Sequence, residues 1–195
     1  MFVYPALFRR NVYSATRYMG KAFIYVKRLS ENEDILPVTV SERLIDINSL
    51  KRGMTVNVMG QMRSYNHYSS KKNKLILTTF AKEIEIGEDI LANPNEIFLN
   101  GFICKTPVYR TTPFGREITD LLIAVNRSYG KSDYIPCIAW GRNAKFAGGL
   151  EVGNNIEIWG RVQSRNYQKK LENDEIEERT AYEVSISKID LIDRR

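Results

Sequence analysis

The sequence contains one pattern written twice, which restricts the chain to a fold built in two similar halves. Val26 to Pro37 (VKRLSENEDILP) aligns with Val125 to Pro136 (VNRSYGKSDYIP), and Val, Arg, Asp and Pro recur in register 99 positions apart. Gly53 to Asn66 (GMTVNVMGQMRSYN) aligns with Gly153 to Asn166 (GNNIEIWGRVQSRN), 100 positions apart. Both copies keep two glycines, alternating apolar residues between them, and Ser-x-Asn. A repeat of this length implies two homologous domains rather than a solenoid of short units. The 195 residues give each copy enough chain for a modest core of its own. The break is expected in GEDILANPN, Gly87 to Asn95. That gives domains at 1–87 and 95–193, and a linker at 88–94 short enough to keep the halves close together.

Copy two shows its elements most clearly. Ile97, Leu99, Gly101 and Ile103 fall at every second position, the periodicity of a strand. Pro107, Pro113 and Gly115 predict a long loop. Ile118 to Val125 and Tyr134 to Trp140 read as the second and third strands, and Gly141 to Gly149 as a turn with one helical turn over 143–147. Ile156, Ile158, Gly160 and Val162 mark a fourth strand, Lys169 to Arg179 a polar hairpin loop, and Tyr182, Val184 and Ile186 a fifth. Five strands with a helical interruption between the third and fourth is the order of an OB-fold, a small Greek-key barrel that commonly binds oligonucleotides. The expected fold class is therefore all-β, with two tandem OB-fold barrels. Copy one follows the same plan from Phe23 but has a shorter front end: 25 residues precede Val26, whereas Asn95 stands 30 positions before Val125. Either 1–8 forms an abbreviated first strand, or the N-terminal barrel is incomplete and its edge needs a cover.

Net charge is +6 and unevenly spread: residues 1–94 carry 14 Lys+Arg against 9 Asp+Glu, and residues 95–195 carry 15 against 14. This is a mild bias toward an anionic partner. The longest apolar run, Leu121 to Val125, is far too short for a membrane helix. The opening MFVYPALFRR places its apolar residues ahead of its arginines, the reverse of a secretory signal. Cys104 and Cys137 lack CxxC spacing, so reduced cysteines inside the strands of a cytoplasmic protein are expected. His67 is the one histidine, too few for a histidine metal site or relay. With no zinc spacing, phosphate-cradling glycine loop or nucleophile elbow, no catalytic residue, metal or cofactor is expected.

The third strand is where the copies part. In copy two, Ile135, Cys137 and Ala139 share one face, small and aliphatic as a barrel interior requires, while Tyr134, Pro136, Ile138 and Trp140 share the other. In copy one the interior set is Leu36, Val38 and Val40, and the outer set is Ile35, Pro37, Thr39 and Ser41. Tyr129 corresponds to Ser30, and Tyr167 to His67. An outward row of rings is a platform for stacking unpaired bases, worth roughly 1–3 kcal/mol per base and tolerant of sequence. Trp159 shares a face with Glu157 and Arg161 and is replaced by Met59 in copy one, which favours packing or a subunit interface.

Phosphate contacts are expected from Arg127 and Arg142, matched by Arg28 and Arg43, and from Arg165, Lys169 and Lys170. The copy-one hairpin NHYSSKKNK adds Lys71, Lys72 and Lys74, with no acid among them. The acidic run Glu172 to Glu178 repels phosphate from the tip of the copy-two hairpin. The expected division of labour is base stacking by copy two, with weaker electrostatic contact or a mainly architectural role for copy one.

Copy two resembles the bacterial single-stranded DNA-binding protein family. The motifs are NEIFLNGFI (Asn95 to Ile103), PVYRTTPFGREI (Pro107 to Ile118), LIAVNR (Leu122 to Arg127), DYIPCIAWGRNA (Asp133 to Ala144) and GNNIEIWGRVQSRNY (Gly153 to Tyr167), in that order. The resemblance implies an OB-fold that binds single strands without sequence preference, in replication, repair or recombination. It places the stacking positions on Tyr129, Tyr134, Trp140 and Tyr167. Three of these are Tyr where the family often has Trp, which implies weaker stacking. It also implies four OB-folds per assembly, supplied here by a homodimer, and a cytoplasmic, nucleoid-associated protein. The chain ends IDLIDRR, so the acidic, apolar-tipped tail by which family members recruit replication and repair proteins is not expected. A tail-less relative, primosomal replication protein N, is similar too, making a replication-restart accessory the alternative; an assembly protein with residual nucleic-acid binding is another. Stacking alone leaves RNA open beside DNA.

Overall fold

The computed structural model describes residues 4–9, 19–28, 32–46, 48–69, 72–87, 95–170 and 174–192, and the expected linker 88–94 lies outside them. Copy one supplies β1 (Tyr4–Arg9), β2 (Met19–Lys27), β3 (Glu33–Ser41), β4 (Thr55–Ser69) and β5 (Lys72–Ile86). Copy two supplies β6 (Ile97–Thr111), β7 (Glu117–Arg127), β8 (Lys131–Trp140), the helix α1 (Gly141–Gly148), β9 (Asn155–Lys170) and β10 (Ile176–Leu191). Each set closes on itself, in the orders β1-β2-β3-β5-β4 and β10-β8-β7-β6-β9. In both barrels the third and fifth strands run parallel, Val38 opposite Thr79 and Cys137 opposite Val184. The two OB-fold barrels are therefore as the repeat predicts.

The six-residue β1 is the abbreviated first strand. It pairs with β2 from Leu7–Tyr25 to Arg9–Phe23 and with β4 from Tyr4–Val58 to Leu7–Thr55. Those few rungs close the barrel, so the alternative of an incomplete N-terminal barrel is set aside.

The paired glycines of the repeat have separate physical causes. Gly53 and Gly153 both adopt positive φ, 95° and 94°, in the turn that enters the fourth strand, where a side chain is strained. Gly60 and Gly160 lie in the fourth strand against its bulged partner. A Cβ there would fall well inside contact with the carbonyl oxygen of Phe80 or Ser185.

Two expected loops are strands. β6 continues through Pro107 to Thr111, and β9 and β10 stay paired to Lys170–Ile176. Proline is tolerated in β6 because the β6–β7 register shifts twice between Ile103 and Val108, leaving no ladder hydrogen bond for Pro107 to miss. At the β9–β10 end, polar side chains stand on both faces of a hairpin arm that projects past the barrel, so hydropathy reads loop where the backbone is fully paired. The helical turn expected over 143–147 is an eight-residue helix. Ala144 and Ala147 face inward, and the Thr119 hydroxyl donates to Ala144 O at 2.7 Å, tying α1 to β7.

The interiors follow the alternation. Leu36, Val38 and Val40 are buried in one barrel, and Ile135, Cys137 and Ala139 in the other. Each fully buried Leu, Ile or Val contributes about 1.5–3 kcal/mol. Ile138 departs from expectation: it is buried although it belongs to the outer set. The arms projecting beside β8 cover it, and it lines a groove between them.

The barrels are joined by a clasp made twice from equivalent residues. Asp34 and Asp133 are each 1% exposed. Asp34 Oδ1 accepts from Arg28 Nη2 (2.6 Å) and from the backbone N–H of Ser164 (2.8 Å) across the joint. Its Oδ2 accepts from Arg28 Nε and from Arg161 Nη1 of the other barrel, both at 2.9 Å. Asp133 Oδ1 accepts from the backbone N–H of Ser64 (2.6 Å), and its Oδ2 pairs with Arg127 Nε (2.9 Å) and Arg63 Nη1 (3.4 Å). The serine hydroxyls complete the exchange: Ile35 N–H donates to Ser164 Oγ and Tyr134 N–H to Ser64 Oγ. The two halves differ in detail: Arg28 also donates to Ser164 O across the joint, whereas Arg127 Nε stands 2.9 Å from Asp133 without hydrogen-bonding it. Copy one has Gln61-x-Arg63 where copy two has Arg161-x-Gln163, and in each the arginine also donates to the glutamine.

Candidate nucleic-acid interface

Trp140 ends β8, the last residue before α1. Its indole Nε1 donates to Ser185 Oγ at 3.2 Å, which fixes the ring on the rim of a groove of about 730 Å³. Arg110 and Arg116 of the β6–β7 hairpin, Arg165 of β9, and the clasp residues Arg28 and Arg161 line the same groove. Hydrogen bonding to Asp34 raises the Arg28 guanidinium above its usual range. Burial lowers that of Arg161, with Asp34 acting against it. Hydrogen bonding to Asp120 raises Arg110. All of these side chains carry positive charge at neutral pH. Two acids share the wall: Glu33, which is exposed, and Glu183, which accepts a hydrogen bond from Gln163 (2.7 Å) and lies 3.8 Å from Arg165. A cationic channel with a flat aromatic rim has the ingredients for tracking a phosphate backbone while a base stacks.

The four expected rings are all accessible, but the structure does not gather them into one cleft. Trp140 is 37% exposed, Tyr134 43% and Tyr129 98%. Tyr134 shares the outer face of β8 with Trp140, six residues away, and its backbone sits in the clasp. Tyr129 occupies the 3-10 turn Ser128–Gly130 with φ 64°, followed by Gly130 at φ 65°. A bulky residue with positive φ is uncommon and carries backbone strain. Tyr167 lies on β9 with Arg165 5.7 Å over its ring, and lines the cleft between the barrels rather than the Trp140 groove.

The expected basic residues fall into three groups. Arg165 lines the groove, while Arg142 lies beside Trp140 in a smaller depression with Asn143 and Phe146. Arg127 is held by Asp133 in the clasp. Lys169 and Lys170 lie on the β9 arm, Lys170 paired with Asp174 at 2.6 Å. Lys71 lies outside the described residues, and of Lys72 and Lys74 the backbone alone is described. Sequence reasoning missed Arg110, Arg116 and Arg161. The first two lie in PVYRTTPFGREI, a segment read as a loop, and alternation along a paired hairpin would have placed them. Trp159 packs on Phe98 (centroids 5.0 Å apart) on the outer face of β6 and β9, with Lys188 Nζ 4.2 Å from its ring centre.

Fold and groove together define a tandem OB-fold protein with a tryptophan-edged, arginine-lined channel. The single-strand binding protein family matches residues 94–192. The chain belongs to that family. The chain is similar to single-stranded DNA-binding protein 1 of Staphylococcus aureus (strain COL), at 35% identity over 39% of this chain and 50% of that one. It is similar also to single-stranded DNA-binding protein A of Bacillus subtilis, at 34% identity over 39% and 48%. The chain thus spans about half the length of these curated relatives. In fold it is similar along its whole length to the wild-type single-stranded DNA binding protein from Thermus aquaticus, with a TM-score of 0.73, 19% identity and 92% of that chain covered. No helix among the described residues is long and apolar enough to cross a membrane.

Proposed function

We propose that this protein binds single-stranded DNA without sequence preference, by base stacking and phosphate contact and without catalysis, and protects exposed strands in replication, repair or recombination. The observation that carries this reading is the convergence of Trp140 with Arg110, Arg116 and Arg165 on one groove. Titration with oligo-dT is expected to quench tryptophan emission. The logarithm of the binding constant is expected to fall with the logarithm of salt at a slope of about −2 to −3.5, for three to five phosphates at ~0.7 each. Unchanged emission together with salt-independent behaviour would overturn the reading.

The Phe98–Trp159 face supports a homodimer, which brings four barrels together. Two rings and a lysine stem on the outer face of a sheet form an apolar patch suited to a second copy of the same chain. Light scattering is expected to give twice the chain mass, and Trp159→Glu to halve it. A monomeric wild type would remove the proposal.

A further inference from the structure

We propose that the cleft between the barrels is a second nucleotide subsite. Tyr65 of the first barrel and Tyr167 of the second receive an unpaired base there, and Lys21 and Arg179 meet its phosphates. This rests on the single-strand-binding reading and extends it, because it gives the first barrel a ring of its own. Tyr65 has no aromatic counterpart at its repeat position, which is Arg165, so comparison of the copies does not reveal it.

The cleft has a volume of about 560 Å³, within the range of sites that enclose small organic ligands. Its floor is apolar, formed by Phe23, Pro37 and Leu77 from one barrel and Pro136 and Tyr182 from the other. Lys21 Nζ donates to the Tyr65 hydroxyl at 3.1 Å and stands 5.7 Å from its ring centre. An ammonium has three donors, so Lys21 can hold Tyr65 and still meet a phosphate. On the opposite wall Arg165 stands over Tyr167. Each barrel therefore presents one tyrosine backed by one cation.

Charge and continuity both select a nucleotide as the occupant. The cations at the cleft are Lys21 and Arg179; Glu177 holds Arg179 through Nη2, leaving its other guanidinium donors for a phosphate, and the one lining acid, Glu183, is already bonded by Gln163. Glu183 lines the cleft and the Trp140 groove alike, and Arg165 reaches from that groove to Tyr167. A strand leaving the arginine groove enters the cleft directly, a continuity that a small apolar ligand or a peptide would not need.

The test uses the full chain and an oligo-dT of about thirty nucleotides, long enough to span both barrels. Tyr65→Leu is expected to weaken binding about ten-fold, the loss of one stacked base, with the unfolding midpoint unchanged because the side chain lies at the surface. Tyr65→Phe is expected to keep the affinity. In the unaltered protein, oligo-dT carrying 5-iododeoxyuridine is expected to photo-crosslink to the peptide containing Tyr65. Full affinity in Tyr65→Leu, or crosslinks confined to the Trp140 groove, would overturn the inference while leaving single-strand binding intact. An unaltered protein that binds no oligo-dT would instead remove the reading on which it stands.

Discussion

Replacing Asp34 with alanine is expected to lower unfolding stability by about 3 kcal/mol, measured as a fall in the urea midpoint followed by circular dichroism. The carboxylate receives four donors, two of them from the other barrel. Removing one member of a buried charge network costs about 3–5 kcal/mol, because the remaining charges lose their partner. The lower end applies here: the Arg28 and Arg161 side chains are 25% and 37% exposed, so water compensates part of the loss. The orphaned N–H of Ser164 has less recourse. Asp133→Ala is expected to cost less, since its shell has two hydrogen-bond donors, Ser64 N–H and a distant Arg63 at 3.4 Å, with Arg127 Nε in ionic contact only. A change below about 0.5 kcal/mol for Asp34→Ala would show that the joint does not close in solution as described.

Trp140→Ala is expected to weaken oligo-dT binding by roughly ten-fold to a hundred-fold, equivalent to ~1–3 kcal/mol of stacking. Ser41→Ala, at the matching position of copy one, is expected to leave the affinity within about two-fold. The tryptophan is partly exposed and ends its strand, so its loss opens no core cavity; the hydrogen bond to Ser185 is what folding gives up, about 1 kcal/mol. The two effects separate by experiment. A binding loss with a nearly unchanged urea midpoint assigns the ring to the ligand, whereas a parallel loss of stability assigns it to packing. Equal effects of Trp140→Ala and Ser41→Ala would end the proposed division of labour between the barrels.

The sequence showed the barrels plainly and the joint hardly at all. Period-two alternation in β3 and β8 places Leu36, Val38, Val40 and their counterparts inside, and the structure buries them. The shortfall before Val26 corresponds to the six-residue β1. What hydropathy cannot show is a strand that is wet on both sides, which is why the β6–β7 and β9–β10 arms read as loops. The clasp was visible in the repeat but not recognisable as a joint. Arg28 and Asp34 recur as Arg127 and Asp133, and Ser64 as Ser164, while the rings around them diverge. Residues that persist while a binding surface changes point to architecture, yet an arginine in isolation reads as a phosphate contact. Trp140 was legible because an outward tryptophan has no barrel-closing purpose; the arginines facing it were not, since they come from an arm whose pairing the sequence hides.

A joint between two domains that is assembled from a handful of polar contacts holds only as long as the partners stay near one another. Here ten residues separate the end of β5 at Ile86 from the start of β6 at Ile97, and a tether that short sets a local concentration on the order of millimolar. Dilution therefore cannot pull the barrels apart. The pair stays assembled at levels where two separately encoded barrels, held by the same contacts, would drift off as free subunits.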